Sequence, residues 1–251
     1  MTDFWSHMTS PAIPESGTGP VERRVLRDRV YDLILEMLMR GDVQPGSRLG
    51  IDVLSRELDV SPTPVREALV QLERTGLVSR EARRGYRVAA PLTVDQALEI
   101  FDARLVIETG AAALAAPHAA EFIDELAAAE ARHHATADAV LAAPDDSPEM
   151  RDRLIEYFEA DWAFHIVILK HSGNRHLLEM AESLGTHMHR RRQTIATQNN
   201  DVRLAVTEHD AILGTLRHGT PDSVVEAMRT HLSNVRERAV TAATEASIPR
   251  P

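Results

Sequence analysis

The spacing of apolar and polar residues separates a long helical segment from a shorter mixed one. Over residues 93–244, apolar residues recur every three or four positions, which predicts amphipathic helices and no strand. Six helices are predicted, near residues 93–116, 120–142, 148–171, 174–197, 200–217 and 221–244. Short breaks separate them, so we expect an antiparallel bundle. Thr93 and Gln96 form a capping box that begins the first of the six.

The preceding segment mixes helical and strand patterns. It predicts helices over residues 21–40, 51–58 and 61–76, a turn over 42–49, and two short strands at 77–80 and 86–89. Ser61 is a good N-cap for the third helix, and Gly76 ends that helix.

Two short helices joined by a tight turn are typical of a helix-turn-helix that enters the DNA major groove. Val65, Leu69 and Leu72 face inward on the second of these helices, which leaves Thr63 and Arg66 facing outward. An ordinary helical hairpin would show the same pattern. The two strands that follow favour DNA binding, because they form a wing with a basic surface suited to phosphates or the minor groove, contributed by Arg80, Arg83, Arg84 and Arg87.

Charge and composition narrow the class of protein further. The chain has 251 residues and a net charge of −10, but residues 21–91 hold 13 Arg against 11 acidic residues, a net charge of +2. An acidic body with a mildly basic head suits local DNA binding. The absence of cysteine excludes disulfides and thiolate metal sites. Because no apolar run approaches the length of a membrane span and no signal peptide is evident, we expect a cytoplasmic protein with no membrane partner.

These patterns predict a mainly α protein with an N-terminal winged helix-turn-helix and a C-terminal all-α antiparallel helical bundle. The predicted parts are a disordered arm at 1–20, a winged helix-turn-helix DNA-binding domain at 21–91, a helical domain at 92–246, and a loose tail at 247–251.

Polar side chains at core positions are the most informative residues of the helical domain. Asp161 and His165 lie on the apolar face of the third bundle helix, His209 on that of the fifth, and His231 on that of the sixth. His209 and His231 lie about ten and eleven residues from the loop between their helices, so at ~1.5 Å per residue they have nearly the same height. One carboxylate and three imidazoles facing inward predict a divalent transition-metal site, with Zn²⁺ or Ni²⁺ the expected ion.

The same four residues also fit a plainer interpretation. Asp161 would then cap a helix or form a salt bridge with a neighbour, and the imidazoles would be hydrogen-bonded members of the core. We expect five other histidines to be solvated, because they lie near helix ends or on polar faces: His133, His134, His171, His176 and His218. The roles of His187 and His189 are left open.

Arg104 is a further polar residue on an apolar stripe, with Glu108 one helical turn away. An inward arginine is a natural bidentate clamp for a carboxylate ligand, so both residues are candidate ligand contacts. A structural salt bridge between Arg104 and Glu108 is the alternative interpretation.

The motifs of both domains resemble those of a known family. Residues 25–89 resemble the winged helix-turn-helix domain of GntR-type bacterial transcription regulators through Gly41, Pro45-Gly46, Ser61-Pro-Thr-Pro-Val-Arg-Glu-Ala-Leu69, Leu72-Glu73, Gly76-Leu-Val78 and Gly85. The rest resembles the helical effector domain (FCD domain) of the FadR-like branch through Asp161-Trp-Ala-Phe-His165, Gly173-Asn174, Glu208-His209 and Met228-Arg-Thr-His231-Leu232. The resemblance implies a metal held by Asp161, His165, His209 and His231 beneath an effector cavity.

The resemblance implies a homodimeric repressor of a metabolic operon that binds a palindromic double-stranded DNA operator and responds to a small carboxylate effector. Its candidate DNA contacts are Ser61, Thr63, Arg66, Arg83, Arg84 and Gly85. The sequence departs from the family pattern at Pro62, where a basic residue is usual, so the operator sequence is in doubt.

Two other functions use the same Asp and three His. A metal-dependent hydrolase or lyase could activate water at an open coordination position. The basic wing and the lack of a well-placed general base besides Glu108 weigh against an enzyme. A pure metal sensor, in which the ion itself is the signal, would bind DNA in a metal-dependent way without an organic effector.

Overall fold

The computed structural model describes residues 20–39, 42–74, 76–81, 84–90, 92–144, 147–192 and 199–246. The chain divides into two compact units, Met1–Pro91 and Leu92–Pro251. The predicted arm at 1–20 lies outside the described residues except for Pro20, which begins the first helix. The predicted tail at 247–251 also lies outside them.

The described part of the first unit contains three helices and a three-stranded sheet. In chain order these are α1 (Pro20–Met39), β1 (Arg48–Leu49), α2 (Ile51–Glu57), α3 (Pro62–Arg74), β2 (Val78–Glu81) and β3 (Gly85–Val88). The sheet is antiparallel, with strand order β1-β3-β2. The expectation of a turn throughout 42–49 was wrong at its end. Arg48 and Leu49 pair with β3, and a two-residue strand is too short to show alternation.

An apolar core joins α1 to α3 and the sheet. The inward faces of α1 and α3 contribute most of its fully buried side chains, which are Val30, Ile34, Val65, Ala68, Leu69 and Leu72. Asp59, between α2 and α3, has φ of 52°, a left-handed conformation that Asp tolerates better than most residues. This turn and the buried stripe of α3 together determine which side of α3 faces solvent.

The second unit is helical in all its described parts. Its elements are α4 (Val94–Ala115), a 3₁₀ turn (Ala116–His118), α5 (Ala119–Ala142), α6 (Pro148–His171), α7 (Arg175–Arg192), α8 (Asn199–His218) and α9 (Pro221–Ala246). The predicted capping box is present, because the Thr93 hydroxyl accepts a hydrogen bond from the Gln96 amide and the Gln96 side chain accepts one from the Thr93 amide. The predicted fold class, a winged helix-turn-helix followed by an all-α bundle, is confirmed.

The bundle brings five helices around one interior. Helix α4 packs against α6, α7 and α9, while α5 packs against α6 and α8, and α8 against α9. The main apolar cluster draws on α4, α5, α6, α8 and α9, with Ala112, Leu126, Phe164, Ile212 and Met228 among its members. Polar side chains that point inward from these helices therefore meet in one place.

None of the described helices combines the length and the hydrophobicity needed to cross a lipid bilayer.

Candidate functional site

The start of α3 presents three of the predicted DNA contacts to solvent. Ser61, Thr63 and Arg66 are exposed, whereas Pro64 and Val65 between them are buried. The apolar face therefore fixes the orientation of the polar one. Small polar residues and an arginine at the start of an exposed helix are suited to phosphates and base edges in the major groove.

The turn of the wing contains two more of the predicted DNA contacts, Arg84 and Gly85. Gly85 has φ of +85°, a conformation in which a side chain would be strained. The Arg84 side chain is 75% exposed and lies 3.9 Å from the nearest carboxylate oxygen of Glu81. Arg83 lies outside the described residues.

Arg87 differs from the other wing arginines. Its Nη1 donates a hydrogen bond of 2.7 Å to the Gly46 carbonyl, and its Nε lies 3.1 Å from a carboxylate oxygen of Glu81. Arg87 thus holds β3 to the loop before β1 and to the end of β2. Its charge is compensated within the domain, so it adds less to the basic surface of the wing than the sequence suggested.

Three buried imidazoles converge inside the helical bundle. His165 on α6, His209 on α8 and His231 on α9 are at most 1% exposed, and one ring nitrogen from each lies within 4.8 Å of the others. His209 Nε2 and His231 Nε2 are 3.3 Å apart. Asp161, one turn before His165, is also buried and has its Oδ1 3.7 Å from His209 Nε2. The structure brings all four predicted residues to one interior region, with Asp161 joined to the imidazoles through His209.

A carboxylate faces the other ring nitrogen of each imidazole. Glu208 accepts a hydrogen bond of 2.8 Å from His231 Nδ1. Glu108 Oε2 lies 2.7 Å from His165 Nδ1, and Glu130 Oε2 lies 3.3 Å from His209 Nδ1. The hydrogen bond to Glu208 keeps the proton of His231 on Nδ1 and directs the lone pair of its Nε2 to the opposite side. The nearby carboxylates favour the same form of His165 and His209, with Nδ1 protonated and Nε2 free to bind an ion.

The arrangement fits a divalent transition metal. With the proton of each ring on Nδ1, the Nε2 lone pairs of His209 and His231 would face each other at 3.3 Å and repel, and a cation between them would remove the repulsion. Two donors ~2.1 Å from a tetrahedral ion would be ~3.4 Å apart, close to that spacing. His165 Nε2 is buried with no hydrogen-bond partner among the described residues. Imidazoles with a carboxylate behind each are the donor set that zinc and similar ions take in proteins.

Arginines compensate two of the three carboxylates. Burial alone would raise the pKa of Glu108, but the adjacent charges of Arg104 and His165 lower this pKa to about 2. Burial would likewise raise the pKa of Glu208, but its hydrogen bonds to His231 and Arg238 lower the pKa to about 2. Asn234 also donates to Glu208. Both carboxylates are therefore ionised and held in place.

Two of the central histidines, His209 and His231, favour their neutral form. Burial lowers the pKa of His209 to about 3, against the opposing effect of Glu130. Burial also lowers the pKa of His231, against the opposing hydrogen bond to Glu208. A neutral imidazole is the form that binds a metal, so these two residues are prepared for that role at neutral pH.

His133 corrects the sequence interpretation, which expected it to be solvated. It is 0% exposed, with Nδ1 3.6 Å from Glu130 Oε2 and Nε2 3.9 Å from Asp161 Oδ1. Glu130, which the sequence analysis did not single out, is 2% exposed. The stripe Leu126, Glu130, His133, Ala137 and Val140 follows the same helical spacing that identified the other polar core residues, so the signal was present in the sequence.

The other histidines are more accessible. His134, His176 and His218 are exposed, as expected, whereas His171 is partly buried because its ring stacks on Phe122 with centroids 4.6 Å apart. The side chains of His187 and His189 lie outside the described residues.

Arg104 and Glu108 form a buried ion pair. Arg104 Nε and Nη2 donate hydrogen bonds to the two oxygens of Glu108, and both side chains are at most 3% exposed. The guanidinium carbon lies 5.5 Å from the centroid of the Trp162 ring. The structure thus contains the salt bridge that the sequence allowed, and contact of either residue with an effector stays a prediction.

Comparisons with known proteins agree with both units. Residues 26–88 match the family of bacterial regulatory proteins, gntR family, and residues 99–234 match the FCD domain. The chain is 33% identical over 154 residues to the transcriptional repressor GlaR of Escherichia coli, covering 61% of this chain and 66% of GlaR. It is 25% identical over 204 residues to the transcriptional regulator YdhC of Bacillus subtilis, covering 81% of this chain and 86% of YdhC.

A solved structure also has the same fold. E. coli McbR/YncC superimposes with a TM-score of 0.65 at 22% identity, over 88% of this chain and 98% of the other.

We predict that the metal-free protein loses stability as the pH falls from 6.5 towards about 3, because the buried His209 stays neutral while its unfolded counterpart takes up a proton. This histidine alone should contribute a loss of about 1.4 kcal/mol per pH unit inside that window. Urea unfolding of chelator-treated protein across this range measures the slope. His209→Gln should reduce this slope by about 1.4 kcal/mol per pH unit, which corresponds to one proton. The exposed control His218→Gln should not reduce it. An equal slope in the wild type and His209→Gln would contradict the prediction.

Proposed function

The chain belongs to the bacterial GntR regulatory proteins with an FCD domain, and from that premise we propose that it is a cytoplasmic, homodimeric, metal-containing repressor controlled by a small carboxylate effector. DNA-binding transcriptional regulation is the activity of this family, so the alternative of a hydrolase or lyase is set aside. Repression is suggested by the name of the relative GlaR.

The observation that supports metal binding most strongly is the orientation of the three imidazoles. Each of His165, His209 and His231 has a carboxylate oxygen near Nδ1, and one ring nitrogen of each lies within 4.8 Å of the others. These histidines and Asp161 would hold Zn²⁺, Ni²⁺ or a similar ion. When bound, the ion supplies an electrophilic position that an effector carboxylate can occupy.

Arg104 supports the proposal of a carboxylate effector. It is a fully protonated group on α4, and the effector would contact the guanidinium N–H groups that Glu108 does not use. Glu108 would act on the effector through its two partners, because it already contacts Arg104 and His165. An effector held by Arg104 on α4 and by an ion on α6, α8 and α9 would join four helices. The bound effector would then stabilise the conformation of the bundle in which these four helices are positioned to contact it.

DNA recognition would use the exposed start of α3 and the wing. Arg66 and Thr63 are proposed to reach base edges or phosphates in the major groove, with Ser61 beside them. Arg83, Arg84 and Gly85 are proposed to contact the backbone or the minor groove. Pro62 offers no side-chain donor, so the reading of the operator would depend more on Arg66.

A homodimer would bring two such heads to a palindromic operator. An exposed apolar stripe on α4 is suited to a second copy of this chain. Val106, Gly110 and Ala113 follow helical spacing, and Val106 and the neighbouring Leu114 are 74% and 47% exposed. Solvent exposure of a valine to that extent is costly in an isolated protein, and burial between two copies removes the cost.

Arg66→Ala should weaken operator binding by about 1–3 kcal/mol, the range expected for a lost base or phosphate contact. Gel shift at fixed salt measures the change against the control Arg217→Ala, an exposed arginine in the second unit. Equal affinity of folded Arg66→Ala and the wild type would exclude Arg66 from the interface.

Val106→Glu should convert the dimer to a monomer, because two carboxylates would be buried at the interface without a partner. Light scattering at micromolar concentration measures the mass. Leu204→Glu, a change at a 40% exposed apolar residue on α8, should leave the dimer intact. A dimeric Val106→Glu protein would show that α4 is not the contact, and a monomeric wild type would refute the dimer itself.

A small carboxylate should raise the melting temperature of the metal-loaded protein, because a ligand of the folded state stabilises it by mass action. A thermal-shift screen of mono- and dicarboxylates would identify it. The shift should disappear with chelator, and should shrink in Arg104→Lys, which keeps the charge beside Glu108 but loses the bidentate fork. A carboxylate shift that survives chelator would separate the effector from the metal. A protein whose DNA binding follows the metal alone would be a pure metal sensor.

A further inference from the structure

The three carboxylates around the buried imidazoles are not equivalent. Arg104 is paired with Glu108, and Arg238 is paired with Glu208. Among the residues that the structure describes, only histidines lie within ion-pair distance of Glu130, and these are His133, His134 and His209. Glu130 is therefore a buried carboxylate without the arginine partner that the other two have among the described residues.

Glu130 also lacks a well-formed hydrogen bond. Both of its oxygens are buried and have no hydrogen-bond partner in the described part of the chain, although the residue is only 2% exposed. Leaving such a group unsatisfied destabilises the folded state, and more so when the group is charged. Some positive charge at this position would compensate it.

The residues on the outer side of Glu130 could hold that charge. His134 lies one turn further along α5, with Nε2 3.6 Å from Glu130 Oε1. Asp210 on α8 has its two oxygens 3.0 and 3.1 Å from the same Nε2. One ligand atom from each of the three residues lies within 4.8 Å of the others.

These separations match the needs of a small divalent ion. Donors ~2.1 Å from a tetrahedral ion are ~3.4 Å apart, so the spacing requires only small side-chain shifts. Two carboxylates and one imidazole suit Zn²⁺ and related ions, and water would complete the coordination. We propose that Glu130, His134 and Asp210 form a second divalent-metal site, at the outer edge of the buried histidine centre.

The two metal sites would share Glu130 but would differ in how readily the bound ion exchanges with solvent. Glu130 Oε2 faces His209 of the inner group, whereas Oε1 faces His134. The His134 and Asp210 side chains are 46% and 52% exposed, so the outer ion is open to solvent and exchanges more readily than the buried one. The outer ion supplies Glu130 with the charge that an arginine supplies to Glu108 and Glu208. The plainer alternative is a protonated His134 with no metal, because its hydrogen bond to Asp210 raises the pKa of this histidine beside Glu130.

Counting bound ions distinguishes these possibilities. Untagged, chelator-treated protein is dialysed against Zn²⁺ and its zinc content is measured by elemental analysis. We expect two ions per chain in the wild type and in the control His218→Ala, which removes an exposed histidine elsewhere. We expect one ion in His134→Ala, and also in Asp210→Asn, which keeps the size of the side chain.

The inner site is tested separately, because the outer proposal does not depend on the proposed regulatory function. His165→Ala removes an inner residue that does not contact Glu130, and should retain one ion. The double variant with His134→Ala and His165→Ala should retain no ion. A wild-type count of one that is unchanged by His134→Ala overturns the outer site and leaves the inner one standing. A count that falls in His134→Ala but not in His165→Ala supports the outer site and removes the inner one.

Discussion

The helical domain depends on holding three imidazoles, each with a carboxylate near Nδ1, in a fixed orientation inside an apolar bundle. Burial disfavours the protonated form of His209, and the hydrogen bond to Glu208 fixes which nitrogen of His231 carries the proton. The carboxylates are buried charges in turn, and Arg104 and Arg238 stabilise two of them. Carboxylates thus surround the imidazoles, and arginines are paired with two of those carboxylates. The packing of α4, α5, α6, α8 and α9 holds these groups in place. Removing Glu108 or Glu208 would free one imidazole to rotate and would leave the arginine paired with that carboxylate as an unpaired buried charge.

Hydrophobic periodicity predicted the fold well because both domains bury one face of each helix. The stripe of α3, ending before Gly76, also determined which side is exposed, so Thr63 and Arg66 could be named as outward residues from the sequence. The two-residue strand β1 could not be predicted, because its pairing with β3 depends on residues about forty positions away. Arg87 was misjudged for the same reason, since its partner Gly46 is equally distant in sequence.

The polar interior shows what single-helix patterns leave out. Asp161, His165, His209 and His231 stood out because each lies on an otherwise apolar stripe, and all four are buried. Glu130 and His133 also lie on an apolar stripe of α5. Their burial was not predicted, because His133 is next to His134 on a helix with many charged residues. The assignment of a carboxylate to each imidazole required the structure, because Glu108, Glu130 and Glu208 come from three helices whose relative rotation the sequence does not give. Regulation as proposed would act through this shared interior, where an effector and a metal can stabilise one arrangement of the same helices.

The most direct test of the central claim is an anomalous difference map, recorded at the zinc absorption edge, from crystals of zinc-loaded protein. The account predicts a peak bonded to Nε2 of His165, His209 and His231 and to an oxygen of Asp161, with each Nδ1 on its carboxylate. The account would be contradicted by the absence of a peak at this position in zinc-loaded crystals, with the four side chains bonded only to one another.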